Sequence, residues 1–363
     1  MTAPAALADS EGDLIVRREG SAGIIRLNRP KALNAMTLEM SLGIDAALDR
    51  FGADPAIAVV LLEGAGERGL CAGGDIRGLY ESSRAGGDLG KIFWRQEYIM
   101  NARIATFPKP YVAFMDGLVM GGGVGLSAHA RHRVVTEKTK LAMPEVGLGF
   151  FPDVGGTWLL SRSPGEIGTY FGLTGQTMNG PDAIYARFAD AVVPSSKLSA
   201  LREVLTKIRP GTASGEVQTL IDGYATGEAA GPVAAMQARI DGWFGHDRME
   251  DIFAALQRDG SELAQSTIKT LNEKSPRGMV VSLKLLRLGR RSSSLEECLV
   301  REYRAALEVF RSDDFREGVR AAVIDKDRNP RWSPPRVEDV TPAMLAPYFA
   351  EIGADELVFQ HIT

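Results

Sequence analysis

The sequence predicts an α/β protein in which a core of short strands and helices is followed by a helical C-terminal region. Two observations carry this prediction. Up to about residue 195, short apolar runs alternate with helical stretches, as in sheets whose strands are buried on both faces. Beyond Ser196, apolar residues recur every three to four positions, which is typical of amphipathic helices. We therefore expect a core over residues 1–195 and a helical region over residues 196–363.

The predicted elements follow in chain order. In the first half, apolar runs predict strands at residues 23–27, 58–62, 111–115, 134–135 and 141–143. Between the first two strands, Thr37 is the predicted cap of a helix. The apolar residues expected on one side of that helix are Leu38, Leu42, Leu48 and Phe51. In the second half, helical spacing is clearest over residues 249–257, 278–288 and 295–310, and the prolines of residues 325–335 predict a turn-rich tail.

The composition excludes several classes of protein. The formal net charge of −4 is opposite in sign to the basic balance that nucleic-acid binding usually needs, so no nucleic-acid partner is expected. Two cysteines, Cys71 and Cys298, are too few for a disulfide framework or a four-cysteine zinc site, and no metal is expected. Residues 1–13 are acidic where a signal peptide would be basic. A reducing compartment fits this composition, and we expect a cytoplasmic protein.

Two further features have ordinary explanations. The apolar stretch 111–130 is interrupted by Asp116 and several glycines, so it is predicted to be a strand, a turn and a helix rather than a membrane span. The four histidines, none in an HExxH pattern, are His129, His132, His246 and His361. The first two are three residues apart, and we expect them to lie at a solvated helix end beside Arg131 rather than in a metal site.

Two glycine-rich turns come after predicted strands, at residues 70–76 and 120–125. Glycine lets the backbone approach a ligand closely, and a helix that begins in the second turn directs N–H groups outward. Two such turns can supply two N–H donors to one oxygen atom, which is the design of an oxyanion hole. Neither turn has the spacing of a P-loop or a dinucleotide fingerprint, and each alone is also compatible with a tight corner.

Two carboxyl groups lie in neighbouring turns. Glu145 follows the predicted strand at residues 141–143, and Asp153 lies between Pro152 and two glycines. An acid among apolar neighbours tends to have a raised pKa, which suits general acid or base catalysis. The alternative for these residues is structural, with Asp153 as a helix cap and Glu145 as a solvated turn residue.

Taken in order, the segments CAGGDI, MGGGVG, MPE and FPDVGG resemble those of the crotonase, or enoyl-CoA hydratase/isomerase, superfamily. Residues 27–35 are similar to the opening motif of that family. The resemblance implies a ClpP-like spiral of ββα units that binds an acyl-CoA. It also implies that the N–H groups of Gly74 and Gly122 form the oxyanion hole. The residues implied to line CoA are Lys31, Ala32, Leu33, Ala72, Gly73, Asp75 and Ile76, and the candidates for its phosphates are Arg26, Arg29, Lys31 or a basic residue of the C-terminal region.

The resemblance also indicates a branch of the family. Hydratases of this family carry a glutamate three residues after the second oxyanion glycine, where this chain has Gly125. Asp153 stands where those hydratases have glycine, and Glu97 adds another acid. With residues 315–332, this combination is similar to the branch that hydrolyses short 3-hydroxyacyl-CoA thioesters, implying 3-hydroxyisobutyryl-CoA as substrate in valine breakdown. The alternatives are another reaction of the superfamily, such as enoyl-CoA hydration or isomerisation, and a non-catalytic binding protein.

The implied chemistry assigns a role to each acid. Glu145 attacks the thioester or acts as general base on water, and Asp153 orients water or protonates the departing thiolate. Glu97 accepts a hydrogen bond from the substrate hydroxyl; with Gly122, Glu145 and Asp153 it matches the substrate-site positions. Nothing in the sequence marks Cys71 as an activated nucleophile. Coenzyme A is part of the substrate, so no separate cofactor is expected, and a homo-oligomer is possible, with monomer, dimer and trimer all left open.

Overall fold

A computed structural model describes residues 12–227 and 230–359 of the chain. Residues 1–11, which make up most of the segment considered for a signal peptide, lie outside the described residues, as does His361. Within the described ranges, no helix combines the length and the apolar character that a membrane span requires.

Nine strands form two sheets in the described residues. They are β1 Leu14–Glu19, β2 Ala22–Leu27, β3 Val59–Gly64, β4 Gly69–Cys71, β5 Tyr111–Met115, β6 Leu118–Met120, β7 His132–Val135, β8 Lys140–Ala142 and β9 Ala191–Val192. The large sheet has the order β1-β2-β3-β5-β7-β9, and the small sheet has the order β4-β6-β8. Among these nine described strands, the pair β1–β2 is antiparallel and the other pairs are parallel.

The chain alternates between the two sheets. Strands β3, β5 and β7 each enter the large sheet, and the strand that follows each of them, β4, β6 or β8, enters the small sheet. Helical segments then lead to the next pair of strands. Each turn of the chain is therefore a ββα unit, and successive units wind into a spiral. This arrangement confirms the α/β fold with ββα units that the sequence predicted.

Sixteen α-helices complete the described part of the chain. They are α1 Leu38–Ala53, α2 Ile76–Ala85, α3 Leu89–Ala105, α4 Gly122–Ser127, α5 Gly156–Leu160, α6 Ile167–Thr174, α7 Gly180–Tyr185, α8 Leu198–Leu205, α9 Ser214–Asp222, α10 Pro232–Phe244, α11 Met249–Asp259, α12 Glu262–Asn272, α13 Pro276–Gly289, α14 Leu295–Arg311, α15 Asp313–Val319 and α16 Pro342–Phe349. No strand follows β9 in this part of the chain, so the second half is helical as predicted. The boundary between residues 195 and 196 as a domain limit stays a prediction.

The helical region packs back onto the core next to α3. The Trp94 ring of α3 lies 5.6 Å from the Phe310 ring of α14, edge to face. Phe315 of α15 is fully buried, with its ring 6.1 Å from that of Phe150. These contacts belong to one hydrophobic cluster that includes residues of both halves. The second half therefore helps to hold the elements of the first half in place.

One of the residues predicted to lie on the apolar side of α1 lies elsewhere. Thr37 does cap the helix, since its hydroxyl accepts a hydrogen bond from the Met40 N–H at 3.3 Å. Leu42, however, is 49% exposed. The buried side is formed by Met40, Ile44 and residues one or two turns further on. Leu42 is two positions from both of these residues, about 200° around the helix, and so faces away from the core.

The expectation of a solvated helix end at His129 and His132 is also wrong. Helix α4 ends at Ser127, and His132 is the first residue of β7, where it is buried. Its two ring nitrogens each lie 2.8 Å from a side-chain partner, Gln218 or Ser214. The ring of His129 is buried too, with Nε2 at 2.8 Å from the Val154 carbonyl oxygen. The arginines that suggested a solvated end do not expose the two rings.

Candidate active site

Three of the predicted site residues follow the three strands of the small sheet. Gly74 comes shortly after β4, Gly122 shortly after β6, and Glu145 shortly after β8. Because β4, β6 and β8 are parallel neighbours, their carboxyl ends meet at one edge of the sheet. Residues that are far apart in sequence therefore converge on one site.

The two glycine turns bring their N–H groups together. A Cβ atom on Gly122 would lie 3.4 Å from the Gly74 nitrogen, so the turns are in direct contact. Each turn depends on a glycine with positive φ, Gly73 at 110° and Gly121 at 49°. Within the described part of the chain, neither the Gly74 nor the Gly122 N–H donates to a protein acceptor. Both remain available for one ligand oxygen, which is what an oxyanion hole requires.

Glu145 is buried beside the second glycine turn. Its side chain belongs to a short 3-10 turn, Glu145–Leu148, and one of its oxygens, Oε1, is 2.7 Å from where a Cβ on Gly121 would lie. The other oxygen, Oε2, is buried without a hydrogen-bond partner among the described residues. Burial, with a smaller contribution from the charge of Asp153, holds the pKa of Glu145 well above the ordinary carboxyl range. The interpretation of Glu145 as a solvated turn residue is therefore wrong.

Glu97 reaches the same place from α3. Its side chain is 2% exposed, and its Oε1 lies 2.7 Å from the Cβ position of Gly122. That oxygen has no hydrogen-bond partner in the described structure. Burial, followed by the charge of Asp153, raises the pKa of Glu97 well above its usual value. A ligand at the Gly122 N–H would therefore meet Glu97 as well.

Asp153 is buried and held by a tyrosine. The Tyr98 hydroxyl donates a hydrogen bond to Asp153 Oδ2 at 2.7 Å. Burial raises the pKa of Asp153 to about 7; the Tyr98 hydrogen bond lowers it and the charge of Glu302 raises it. Near neutral pH this carboxyl group is partly protonated. The N-cap residue of α5 is Gly155, so the alternative of Asp153 as the cap of that helix is wrong.

Sequence reasoning missed three buried polar residues around these acids: Tyr98, Asn101 and Glu302. On α3, Tyr98 directly follows Glu97, and Asn101 lies one helical turn beyond Glu97. Because residues one turn apart share a helix face, a helical projection from Glu97 could have identified Asn101. Both polar atoms of the Asn101 amide are buried and unpartnered among the described residues. Glu302 lies on α14, about 150 positions after Asp153, and no local pattern distinguishes it from other glutamates of that helix.

The surroundings of Gly125 are too crowded for the glutamate that hydratases of this family carry at this position. A Cβ on Gly125 would lie 2.7 Å from the Val154 Cβ and 2.9 Å from Asn101 Nδ2. Real Cβ atoms essentially never approach other atoms as closely as 2.7 Å, so this position has no room for a glutamate without movement of its neighbours. The gap that a side chain would need is filled by Val154 and Asn101.

The two segments expected to line CoA lie side by side. The Ala72 N–H donates to the Leu33 carbonyl at 3.0 Å, and the Met36 N–H donates to the Gly73 carbonyl at 2.9 Å. In the first segment Lys31 and Ala32 are exposed, and in the second Ala72, Asp75 and Ile76 are partly exposed. These residues therefore form a surface next to the oxyanion turns.

The arginines proposed for the phosphates already have acidic partners. Arg29 forms ion pairs with Asp13 and Asp75, each at 3.2 Å, and Arg26 lies 3.9 Å from Glu63. Arg29 is thus held against the second CoA segment through Asp75. The exposed ammonium of Lys31 is the more accessible cation of the three.

Cys71 is not placed for nucleophilic catalysis. Its thiol is fully buried, and burial raises its pKa to about 12. The thiolate form needed for attack is therefore scarce at neutral pH. Among the described residues, no three His, Cys, Asp or Glu side chains are grouped as a metal site.

A family model described as enoyl-CoA hydratase/isomerase matches residues 22–349. The chain belongs to the enoyl-CoA hydratase/isomerase family. Among curated members, rat mitochondrial 3-hydroxyisobutyryl-CoA hydrolase is 40% identical over 352 residues, which cover 96% of this chain and 91% of the rat protein. The human mitochondrial 3-hydroxyisobutyryl-CoA hydrolase is 37% identical and covers 97% of this chain and 92% of its own length.

Two solved structures of this enoyl-CoA hydratase/isomerase family match nearly the whole chain. A carnitinyl-CoA dehydratase from Mycobacterium thermoresistibile has a TM-score of 0.91 and 41% identity, covering 97% of this chain and 100% of its own. An enoyl-CoA hydratase from Rhodobacter sphaeroides 2.4.1 has a TM-score of 0.89 and 42% identity, covering 96% of this chain and 100% of its own. Both include the helical second half.

The expected cytoplasmic location is wrong in the light of these family members. The curated hydrolases from rat, mouse and human are all named as mitochondrial proteins. A low cysteine content distinguishes a reducing compartment from an oxidising one, but it does not tell one reducing compartment from another.

Proposed function

We propose that this chain hydrolyses the thioester of a short 3-hydroxyacyl-CoA, with 3-hydroxyisobutyryl-CoA as substrate and 3-hydroxyisobutyrate and CoA as products. One observation carries the proposal. The N–H groups of Gly74 and Gly122 have no acceptor among the described residues, and they lie beside buried carboxyl groups, those of Glu97, Glu145 and Asp153. The substrate is supported by the hydrolases of that name, which align with nearly the whole chain.

The first step in this proposal is attack on the thioester carbonyl. Its oxygen becomes negative as the tetrahedral intermediate forms, and the Gly74 and Gly122 N–H groups donate to it. Each such donor is worth about 3 kcal/mol in the transition state, by comparison with enzymes from which one has been removed. Because the two donors belong to rigid backbone turns, they need little reorganisation when the charge develops.

Glu145 has two balanced routes to products. In the covalent route its carboxylate oxygen bonds to the carbonyl carbon and the C–S bond breaks, which gives a mixed anhydride and the CoA thiolate; water then cleaves the anhydride. In the general-base route Glu145 removes a proton from water as the water oxygen bonds to the same carbon. Both routes need ionised Glu145, and its raised pKa makes it a stronger base and nucleophile than an ordinary carboxylate.

Asp153 supplies or directs protons in either route. A carboxyl group with a pKa of about 7 is present in both protonation states near neutral pH. The protonated form can donate to the departing CoA sulfur, and the ionised form can orient a water molecule. Its hydrogen bond from Tyr98 fixes one oxygen, leaving the other for these tasks.

Glu97 gives the proposed preference for a hydroxylated acyl group. Its unpartnered Oε1 lies beside Gly122, so an acyl group whose carbonyl oxygen meets the Gly122 N–H passes close to it. A substrate hydroxyl can donate to this oxygen. A substrate without the hydroxyl leaves a buried oxygen unpaired, which is unfavourable.

Enoyl-CoA hydration is the second candidate function, because both solved relatives are described as a hydratase or a dehydratase. Hydratases of this family use a second glutamate at the position of Gly125, and the surroundings of Gly125 leave no room for one. Hydration would therefore have to recruit Asp153 as the second acid. Hydrolysis uses every acid of the site without such a substitution.

The experiment that tests the function is release of free thiol from 3-hydroxyisobutyryl-CoA, measured with Ellman's reagent. Wild type is expected to release thiol rapidly, and both Glu145→Ala and Asp153→Asn are expected to be strongly impaired. Glu81→Ala, which changes an exposed acid of α2, serves as the control and is expected to match wild type. Full activity of Glu145→Ala would reject its assigned role.

A single-turnover reaction in ¹⁸O-labelled water separates the two routes of Glu145. The covalent route places label in the Glu145 carboxylate, because water can attack the anhydride at the enzyme carbonyl. Label in Glu145 after that one turnover therefore establishes the covalent route, whereas label found only in the released acid fits the general-base route or attack of water at the acyl carbonyl of the anhydride.

The expected partner is the acyl-CoA itself, with CoA as part of the substrate and no other cofactor. Assembly into a homo-oligomer stays a prediction, for which light scattering of the purified chain is the direct test.

A further inference from the structure

A buried glutamate of the C-terminal region reaches the turn that carries Asp153. Glu302 lies on α14 and is fully buried. Its Oε2 accepts a hydrogen bond from the Gly155 N–H at 2.7 Å. Its Oε1 accepts from the Thr157 N–H at 3.0 Å and also from the Thr157 hydroxyl. One carboxyl group thus satisfies three donors at the start of α5.

The turn that Glu302 holds has an unfavourable backbone. Val154 has a φ of 53° and Gly155 a φ of 77°. A left-handed conformation is rare for a β-branched residue, and it persists only where the surroundings over-determine it. Gly155 is required there, since a Cβ would lie 2.5 Å from Nε2 of His129.

His129 holds the same turn from the opposite direction. Its Nε2 lies 2.8 Å from the Val154 carbonyl oxygen, which can only accept, so Nε2 is the donor. Burial lowers the pKa of His129 to about 4, so the ring is neutral at neutral pH. Glu302 therefore fixes the N–H groups after Val154, and His129 fixes the carbonyl of Val154.

We propose that Glu302 is a positioning residue for the reaction: from α14 it holds the strained turn at Val154 and Gly155 so that Asp153 points into the group of acids at the oxyanion turns. This inference rests on the proposed hydrolase function and deepens it. Asp153 is the residue before Val154, so any relaxation of Val154 to an ordinary backbone conformation turns the Asp153 side chain. The Tyr98 hydroxyl alone does not fix that backbone.

The ionisable groups around Asp153 come from four elements. Glu97 and Tyr98 lie on α3, Glu145 follows β8, Glu302 lies on α14 and neutral His129 follows α4. The charge of Glu302 raises the pKa of Asp153, and the hydrogen bond from Tyr98 lowers it. Changing these two neighbours is therefore expected to move the titration of Asp153 in opposite directions.

The test compares Glu302→Gln with Tyr98→Phe and with Glu308→Gln, a control on the same helix. Glutamine keeps the shape of Glu302 but directs an NH₂ group at one of its donors. For Glu302→Gln we expect kcat for thiol release to fall roughly tenfold or more, as for a misplaced catalytic group, with KM nearly unchanged. A purely structural role for Glu302 would lower stability and leave kcat of the folded enzyme at the wild-type value.

A second readout does not depend on turnover. The pKa of Asp153 is measured in the substrate-free protein by ¹³C NMR of labelled aspartate carboxyls, assigned with Asp153→Asn. Glu302→Gln is expected to lower this pKa, Tyr98→Phe to raise it, and Glu308→Gln to leave it unchanged.

The outcomes separate this inference from the proposed function. A wild type that releases no thiol overturns the function, while the NMR titration still tests the effect of Glu302 on Asp153. An active Glu302→Gln enzyme with wild-type kcat and an unmoved Asp153 pKa overturns the inference and leaves the function intact. If Glu302→Gln does not fold, Thr157→Val, which removes only the hydroxyl donor, is expected to lower kcat by a smaller factor; a wild-type kcat for it then overturns the inference.

Discussion

At the scale of single residues, burial rather than residue type makes the acids of this site useful. Glu97, Glu145 and Asp153 are all buried, and burial is the largest cause that raises the pKa of each. A carboxyl group on the surface has a pKa near 4 and neither donates a proton nor attacks readily at neutral pH. The expectation of raised pKa values from the apolar neighbours of Asp153 is confirmed by its burial among them.

Burial of Asp153 predicts a stability that depends on pH. Its pKa is about 3.9 in an unfolded chain and about 7 in the fold. The unfolded chain therefore ionises first, so the folded state loses stability as pH rises from 4 to 7, and the loss is complete above pH 7. Asp153→Asn has no such loss. The free energy of unfolding of Asp153→Asn, relative to that of wild type, is expected to increase by about 2.5 kcal/mol between pH 5 and pH 8.

Urea unfolding of both proteins at the two pH values checks this prediction. Asp88→Asn, at an exposed site, is the matched control and is expected to show no pH-dependent difference from wild type. A constant difference between Asp153→Asn and wild type would show that Asp153 is not perturbed in the fold.

The position of Glu97 leads to a prediction about the preference for a hydroxylated acyl group. With Glu97→Ala, the preference for 3-hydroxyisobutyryl-CoA over isobutyryl-CoA is expected to narrow roughly ten- to a hundredfold, because the substrate hydroxyl loses its buried hydrogen-bond acceptor. The ratio of kcat/KM for the two thioesters is the measurement. An unchanged ratio would refute the contact between Glu97 and the substrate hydroxyl.

At the scale of elements, parallel strands and one helix surface determine where the residues meet. Strands β4, β6 and β8 bring Gly74, Gly122 and Glu145 to one edge. On α4, Gly122 and Gly125 lie one turn apart and face Glu97 and Asn101, which lie one turn apart on α3. Glycine on α4 therefore lets α3 approach closely enough to place Glu97 beside the oxyanion turns.

Because α3 and α4 approach each other closely, we expect that a glutamate introduced at position 125 does not restore the second acid of a hydratase. Gly125→Glu is expected to lower the free energy of unfolding by about 1–3 kcal/mol, because the new side chain overpacks Val154 and Asn101. It is also expected to give no enoyl-CoA hydration. Gly215→Glu on α9, where a Cβ meets nothing within 4 Å, is the control and is expected to keep wild-type stability. A stable Gly125→Glu enzyme with hydratase activity would contradict this account of the site.

The same elements show what the sequence could predict. The strand at residues 111–115 was predicted with its observed bounds, because five consecutive apolar residues at Tyr111–Met115 are buried on both faces. Strands β4 and β6 are not apparent in the sequence, because each runs into a glycine cluster that was assigned to a turn; β8, which is equally short, is predicted one position late at residues 141–143. The turns after β4 and β6 were still identified, because glycine clusters are visible without the strands.

At the scale of the whole molecule, the helical second half completes the site. Phe310 of α14 packs on Trp94 of α3, the helix that carries Glu97, and Glu302 of α14 holds the turn after Asp153. No pattern in the sequence could have predicted Glu302, because the partners that distinguish it are some 150 residues away and it occupies an ordinary buried position of an amphipathic helix. The four family motifs contain Glu145, Asp153 and the two oxyanion turns, but neither Glu97 nor the residues that hold these groups in place.

This packing predicts a link between the second half and turnover. Phe310→Ala is expected to lower the free energy of unfolding by about 3–5 kcal/mol and also to lower kcat, because it loosens α3. Phe244→Ala removes a fully buried phenylalanine of α10 and is expected to lower stability by a similar amount without changing kcat. Equal kcat values for the two folded variants would mean that α14 does not hold α3 for catalysis.

Following hydrolysis and hydration in one enzyme preparation decides which reaction the site performs. Thiol release from 3-hydroxyisobutyryl-CoA and loss of the enoyl absorbance of crotonyl-CoA are measured side by side, and their kcat/KM values are compared. The oxyanion turns, the three buried acids and the closed position at Gly125 predict rapid thiol release and little or no hydration. Rapid hydration of crotonyl-CoA without thiol release would contradict the account and assign the site to a hydratase.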